Sequence, residues 1–183
     1  MSERQKNGFN IENRIIEEYG FTKSENYTAI YDAVSKTGIN VQIKSFKNKT
    51  SVCMGDLKRN FNKEEPFILI FYNYDSNYNC IKTYAFIVRD YKKYNEMFYF
   101  EQYDDFYYEF MNNISNDPKD DKVWKALSKK YKTEYNKVHS MTRMNPKRDH
   151  KHQKRIQCSI PYKFIDSFIR EFEELTEFEL RTI

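Results

Sequence analysis

The chain has 183 residues, of which 39% are apolar, and its formal net charge is +4. This length and apolar content suffice for one folded domain and exclude an intrinsically disordered chain. No apolar run approaches the roughly 20 residues that span a bilayer, and the first residues lack a signal-peptide core, so we expect a cytoplasmic protein without a membrane segment. Cys53, Cys80 and Cys158 are odd in number and widely spaced, which argues against a disulfide framework and against a cysteine-based zinc site.

The first half of the chain has the pattern of an α/β domain. We expect, in chain order, a helix over residues 10–19, strands over 27–34 and 39–46, a short helix over 54–62, and strands over 66–72 and 83–89. Asn10 can cap the first helix and Gly20 can stop it. A short turn at Gly38 would join the first two strands, and the apolar run over 66–72 is typical of a buried central strand.

The second half has fewer strand signals. We expect helices over residues 104–114 and 122–138, an irregular basic stretch over 140–155, a short strand over 156–159, and a helix over 162–175. The order of elements therefore favours an α/β core over residues 1–90. Residues 91–183 would form a helical, basic elaboration of the same domain.

Charge is segregated along the sequence. Residues 36–63 hold seven Lys or Arg against one Asp, and residues 119–155 hold thirteen against four acids. Two basic blocks of this kind are the footprint of a protein that binds a polyanion, although Lys-rich helices are also common as plain solvated faces.

Asp32, Gln42 and Lys44 would meet across the hairpin at Gly38. Gln42 and Lys44 are two apart on a strand, so their side chains leave the same face, and the turn would bring Asp32 alongside them. Such a cluster can hold Mg²⁺ against a phosphate, because this hard cation prefers oxygen ligands. The competing interpretation is an ordinary solvated sheet face.

Asp32 fits a solvated face less well than its two neighbours. Thr28, Ile30 and Val34 share its side of the predicted strand. An unpaired carboxylate among apolar neighbours is costly unless a cation or hydrogen bonds compensate, so a bound Mg²⁺ would stabilise it.

This arrangement of an aspartate, a hairpin-length gap, a polar residue, any residue and a lysine resembles the motif of the PD-(D/E)xK nuclease superfamily. The glutamine in place of an acid is similar to the Mrr-like branch. Upstream, Gly8-Phe-Asn-Ile-Glu12 followed by Gly20-Phe21 is similar to the family's first helix, where a glutamate points back toward the metal site. The resemblance covers residues 8–90 and implies a restriction-endonuclease-like core, a central mixed sheet flanked by helices.

The resemblance also implies a mechanism and a metal. Asp32 would bind Mg²⁺, Gln42 would coordinate it through the side-chain oxygen, and the Ile43 carbonyl would be a further ligand. Lys44 would orient or help to deprotonate the attacking water and stabilise charge on the phosphate. Mn²⁺ would substitute for Mg²⁺.

Two departures from the family pattern affect these assignments. Tyr31 stands where the family often has proline before the aspartate. Gln42 offers a neutral oxygen where most relatives offer a carboxylate, which should weaken metal affinity. Glu12 would restore the missing charge, and Glu17 is the competitor for that role.

Basic residues in both blocks are candidates for DNA contacts. They are Lys47, Lys49, Lys58, Arg59, Arg143, Lys147, Arg148, Lys151, Lys154 and Arg155. Lysines would contact phosphates, and arginines would also read guanine. His139, His150 and His152 raise the alternative of a zinc site, but no Cys accompanies them and their spacing fits no structural zinc site.

We therefore expect a Mg²⁺-dependent endonuclease that cuts double-stranded DNA, most simply a type II restriction enzyme with a cognate methyltransferase encoded nearby. The alternatives are a structure-specific nuclease, such as a Holliday junction resolvase or a phage nuclease, and a non-catalytic nucleic-acid-binding module. One site per chain implies a homodimer for a double-strand cut. Its interface is expected at the aromatic residues 98–111 or at the helix from Tyr162.

Overall fold

The computed structural model describes residues 3–25, 30–114, 120–148 and 154–183. Its elements are α1 (Glu3–Tyr19), β1 (Thr22–Lys23), β2 (Ala33–Val34), β3 (Asn40–Lys47), β4 (Val52–Asp56), α2 (Leu57–Phe61), β5 (Phe67–Tyr74), β6 (Cys80–Val88), α3 (Tyr91–Glu96), α4 (Tyr103–Asn113), α5 (Asp121–Val138), β7 (Arg143–Arg148), β8 (Lys154–Ile160), a 3-10 turn (Tyr162–Phe164), α6 (Ile165–Ile169), β9 (Glu173–Glu174) and α7 (Glu177–Thr182). The fold is α/β, as the order of elements predicts.

The larger sheet is mixed and has the strand order β1-β2-β3-β5-β6-β9. Strands β3 and β5 run parallel, with Asn40 opposite Phe67 and Lys47 opposite Tyr74, and the other neighbouring pairs are antiparallel. Strand β5 is buried over residues 67–73. Burial on both faces requires apolar residues at successive positions, which explains the continuous apolar run.

The smaller sheet is antiparallel and has the order β4-β8-β7. The register shifts between Cys53 and Gly55, and Gly55 has a φ of 86°, a conformation that favours glycine. Both sheets combine strands from either side of residue 90, because β4 pairs with β8 and β9 pairs with β6.

Two hydrophobic clusters cover opposite faces of the larger sheet. On β5, Ile68 and Ile70 belong to the cluster beneath α1 and α7, whereas Leu69 and Phe71 belong to the cluster that includes the smaller sheet. The second cluster contains most of the aromatic residues predicted to form a dimer interface: Phe98, Phe100, Tyr103, Phe106 and Phe110 are all buried within the chain. The aromatic excess over residues 98–111 is therefore largely core, and it gives no reason to place an interface there.

Several predicted elements are confirmed. The central strand, the strand that follows it and the helices near 104–114 and 122–138 lie close to their expected positions. The hairpin is also present, since β2 pairs with β3 and Gly38 has a φ of 87°. Gly20 ends α1 with a φ of 69°, although α1 begins at Glu3 and not at Asn10.

Other predictions are wrong. Val52–Asp56 is a strand, so the expected helix over 54–62 begins only after Asp56, whose side chain accepts a hydrogen bond from the Arg59 N–H at 3.1 Å. The stretch 140–155 is not irregular throughout, because Arg143–Arg148 forms β7 and Lys154 begins β8. Pro146 argues against a strand at this position, but β7 is an edge strand, where proline is tolerated.

The C-terminal helix is also shorter than expected. It ends at Ile169, and Glu173–Glu174 instead adds to the edge of the larger sheet, where the Leu175 N–H donates to the Ala85 carbonyl at 2.8 Å. Helices α3 and α7 were not expected from the sequence. None of the helices in the described ranges has the length and apolarity that crossing a bilayer requires.

Candidate functional site

The hairpin holds Asp32 against β3 through backbone and side-chain bonds. The Asp32 N–H donates to the Val41 carbonyl at 2.9 Å, and the Ile43 N–H donates to Asp32 Oδ2 at 2.7 Å. Lys44 Nζ lies 3.5 Å from the same Oδ2, and the two side chains are only 18% and 22% exposed. The predicted meeting of Asp32 and Lys44 is therefore confirmed.

The surroundings of Asp32 differ from the expectation. Strand β2 begins at Ala33, so Asp32 lies in a bend before the strand, and Ile30 is 47% exposed. Thr28, which was expected on the same face, lies outside the described residues. The Asp32 carboxylate is not an unpaired charge among apolar groups, because it accepts a hydrogen bond from the Ile43 N–H and lies beside the Lys44 ammonium.

Gln42 is not part of a solvated face. The residue is 5% exposed, and its Oε1 atom is buried without a hydrogen-bond partner among the described residues. A buried polar atom without a partner costs about 1–3 kcal/mol. Proteins rarely leave such a cost in place unless the atom meets a ligand, a water or an ion.

Glu12 reaches the site from α1, whose Ile11, Ile15 and Ile16 pack into the cluster beneath the larger sheet. Burial raises the pKa of the Glu12 carboxyl, and the nearby Asp32 carboxylate raises it further, while Lys23 and Lys44 oppose the shift. The Lys23 ammonium lies 3.9 Å from Glu12 Oε1, and a bound cation would likewise stabilise the charged form of Glu12 beside Asp32. Glu17 is exposed, so Glu12 is the acid that accompanies Asp32.

These groups line one cleft of about 270 Å³. Its wall also includes Gly55 and Asp56 of β4, and Arg59 of α2. Arg59 is exposed, so its guanidinium is available to a ligand that enters the cleft. The lining combines three carboxylates, of Glu12, Asp32 and Asp56, with three cations, of Lys23, Lys44 and Arg59.

The cleft offers oxygen atoms of the kind that a hard cation prefers, but its acids alone do not make a metal site. Within the described ranges there is no group of three or more His, Cys, Asp or Glu side chains that could hold a metal. The oxygen ligands would be Asp32, Glu12 and Gln42 Oε1, together with the Ile43 carbonyl. The N–H and C=O of one strand residue lie on the same edge, so the Ile43 carbonyl faces the edge on which Asp32 lies.

Sequence reasoning missed Lys63, a buried cation beside the cleft. Lys63 is 2% exposed, and its Nζ lies 3.5 Å from the Ile30 carbonyl oxygen and 4.2 Å from the centre of the Tyr31 ring. Asn95 holds its backbone by bonds of 3.1 Å and 2.8 Å. Burial, together with the nearby Lys44 ammonium, lowers the pKa of Lys63 to about 7, although Asp32 opposes the shift. In the sequence, Lys63 precedes two glutamates and a proline and carries no sign of burial.

Several predicted DNA contacts are engaged within the chain. Lys154 Nζ donates to the carbonyl oxygens of Phe110 at 3.2 Å and of Ile114 at 2.7 Å, so it caps the end of α4. Arg143 donates to the carbonyls of Ser140 and Thr142, and Arg148 pairs with Asp121. These side chains of β7 and β8 therefore stabilise the fold around those two strands.

The remaining predicted contacts lie at or near the surface. Lys47, Lys49, Lys58, Arg59 and Lys147 are exposed and Arg155 is half-buried, while Lys151, His150 and His152 lie outside the described residues. Lys58 Nζ lies 3.3 Å from Asp104 Oδ1. His139 Nε2 donates to the Tyr99 carbonyl oxygen, and burial lowers the pKa of the His139 imidazole.

In comparisons with known proteins, no family model matches the chain and no curated protein is significantly similar to it.

Proposed function

We propose that this protein is a Mg²⁺-dependent DNA endonuclease of the PD-(D/E)xK type, with a restriction-endonuclease-like core. The proposal depends chiefly on Gln42. Its buried Oε1 lacks a partner in the described part of the chain, and it shares a cleft with Asp32, Glu12 and Lys44. A plain polar sheet face would place this amide in water.

Each side chain has a defined task in this proposal. Asp32, Glu12, Gln42 Oε1 and the Ile43 carbonyl would hold Mg²⁺, which would act as a Lewis acid on a phosphate oxygen. The Ile43 N–H fixes the Asp32 carboxylate at 2.7 Å, so its second oxygen is available to a ligand. The Lys44 ammonium, held near Asp32, would orient the attacking water and stabilise negative charge on the phosphate.

Charge supports the choice of substrate. Arg59 lines the cleft and could bind a phosphodiester there, and the exposed Lys47, Lys49 and Lys147 would add sequence-independent contacts to a polyanion. We propose double-stranded DNA as the substrate and a type II restriction enzyme as the biological role, with a cognate methyltransferase as its genetic partner. Two copies would be needed for a double-strand cut, which implies a homodimer on DNA.

Incubation of supercoiled plasmid with the purified protein and Mg²⁺, followed by sequencing of the ends, tests this function. Cuts at fixed sites support a restriction enzyme. Cuts only in cruciform or branched substrates would replace it with a structure-specific nuclease. Binding without any cut in Mg²⁺ or Mn²⁺ would refute catalysis and leave a nucleic-acid-binding module.

A further inference from the structure

The hairpin formed by β7 and β8 has one apolar face and one polar face. On β8, Ile156, Cys158 and Ile160 are buried in the core, so the alternate residues Arg155, Gln157 and Ser159 lie on the other face. The paired positions on β7 are Lys147, Asn145 and Arg143, respectively. Arg143 is turned toward backbone carbonyls and does not contribute to the polar face.

We call the remaining five residues of this face the hairpin ladder: Asn145, Lys147, Arg155, Gln157 and Ser159. Its two amides lie directly opposite each other, since Asn145 pairs with Gln157. Asn145 Nδ2 donates to Ser159 Oγ at 2.7 Å, which orients that amide. Gln157 Oε1 is buried and, within the described ranges, makes no hydrogen bond. The ladder contains cations and amides but no carboxylate.

The hairpin ladder is continuous with the cleft. Asp56 and Gly55 line the cleft and lie opposite Gln157 and Cys158 in the β4–β8 pairing. Neighbouring strands are about 4.8 Å apart, so Asn145 on β7 lies about 10 Å from the cleft wall. The major groove of DNA is about 12 Å wide and about 8.5 Å deep. A duplex with one backbone phosphate in the cleft can therefore present base edges to the ladder.

From this geometry we propose that the hairpin ladder is a two-stranded ribbon that reads base edges in the major groove of the DNA held at the cleft. Asn and Gln match the donor and acceptor pair of adenine, whereas Arg and Lys match guanine or a phosphate. Gln157 and Asn145 are the specificity-determining residues, and Arg155 and Lys147 flank them. The inference rests on the proposed function for the choice of DNA as ligand.

Selection of bound duplexes from a library with a randomised central segment tests the ladder. The selection is run in EDTA, so that binding is measured without cleavage, and affinity for one fixed-sequence duplex is measured in parallel. The variant with Asn145→Ala and Gln157→Ala should lose about 5- to 150-fold discrimination at one or two base positions. Its affinity for the fixed-sequence duplex should change little. Asn77→Ala, an exposed amide in the turn between β5 and β6, is the matched control and should keep the wild-type preference.

Gln157→Glu is a second variant, and its expected effect is a changed base preference, which a loss of folding cannot produce. It replaces an amide by an acceptor, so preference at the affected position should move from adenine toward cytosine. The role of the ladder would be refuted if the wild-type protein enriched no motif. It would also be refuted if the double variant kept the same motif and the same discrimination. Plasmid cleavage is measured separately. If the wild-type protein cuts DNA but the double variant selects the same motif, the role of the ladder is refuted and the nuclease is not. If the wild-type protein selects a motif but never cuts, the nuclease is refuted and the ladder is not.

Discussion

Replacement of Lys63 by methionine should stabilise the protein in a strongly pH-dependent way. Lys63 is 2% exposed, and its Nζ lies 3.5 Å from the Ile30 carbonyl oxygen. Burial, with a contribution from Lys44, lowers the pKa of Lys63 to about 7, from its ordinary value of 10.5. Because the pKa of Lys63 is lower in the folded chain, the unfolded chain binds more protons when the pH lies between these two pKa values. Charging Lys63 therefore opposes folding.

The size of the effect follows from the two pKa values. Below pH 7 the charged lysine destabilises the folded chain by on the order of 5 kcal/mol, and about 2 kcal/mol of this remains at pH 9. Methionine fills a similar volume without a charge. Lys63→Met should therefore raise the free energy of unfolding most at pH 6, and the gain should shrink by about 3 kcal/mol at pH 9.

Urea unfolding of both proteins at several pH values between 6 and 9 provides the measurement. Lys58→Met is the matched control, because Lys58 is exposed and its pairing with Asp104 should contribute less than about 1 kcal/mol at every pH. A Lys63→Met variant whose stability differs from the wild type by the same amount at pH 6 and pH 9 would show that Lys63 is not a charge-destabilised buried lysine.

Other changes separate the site from its supporting structure. Gln42→Leu should raise stability by about 1–2 kcal/mol, because it removes a buried oxygen without a partner, and should abolish cleavage; chemical unfolding and plasmid assays measure the two effects. Gln42→Glu should reduce the Mg²⁺ concentration needed for cleavage and enlarge the increase in Tm on Mg²⁺ addition, and an unchanged metal titration would argue against Gln42 as a ligand. Lys154→Met should destabilise by about 1.5–3 kcal/mol through loss of the cap of α4, seen in urea unfolding, with no change in the salt slope of DNA binding. Lys147→Ala should leave stability intact and reduce that slope by about 0.9; equal slopes in wild type and variant would identify Lys147 as an unused surface charge.

The parts of the fold that depend on local pattern could be predicted from the sequence. Strand β5 is recognisable because burial on both faces demands consecutive apolar residues, and the hairpin is recognisable because Gly38 permits a positive φ. Strand β7 was missed because Pro146 normally argues against a strand, and its tolerance depends on the edge position. Whether a strand lies at the edge is known only once the whole sheet has assembled, so it cannot be predicted from the local sequence.

The site shows the same division between local and long-range information. The spacing of Gln42 and Lys44 predicts a shared face, but the cleft that they line also draws residues from α1, β4 and α2, which the spacing does not reveal. Lys154 illustrates the limit for charges, since its carbonyl partners lie 40 to 44 residues earlier. Composition alone cannot distinguish such a structural cation from one that binds DNA.

The most direct test of the central claim is single-turnover cleavage of plasmid in Mg²⁺ by the wild-type protein, Lys44→Ala and Lys36→Ala. Lys36 is exposed and lies in the Gly38 hairpin, outside the cleft, so its variant is the matched control. The proposed mechanism predicts that Lys44→Ala loses cleavage by at least about 100-fold while its DNA affinity stays within a few-fold of wild type, and that Lys36→Ala cuts normally. A folded Lys44→Ala that cuts near the wild-type rate would contradict the assignment of this cleft as the active site.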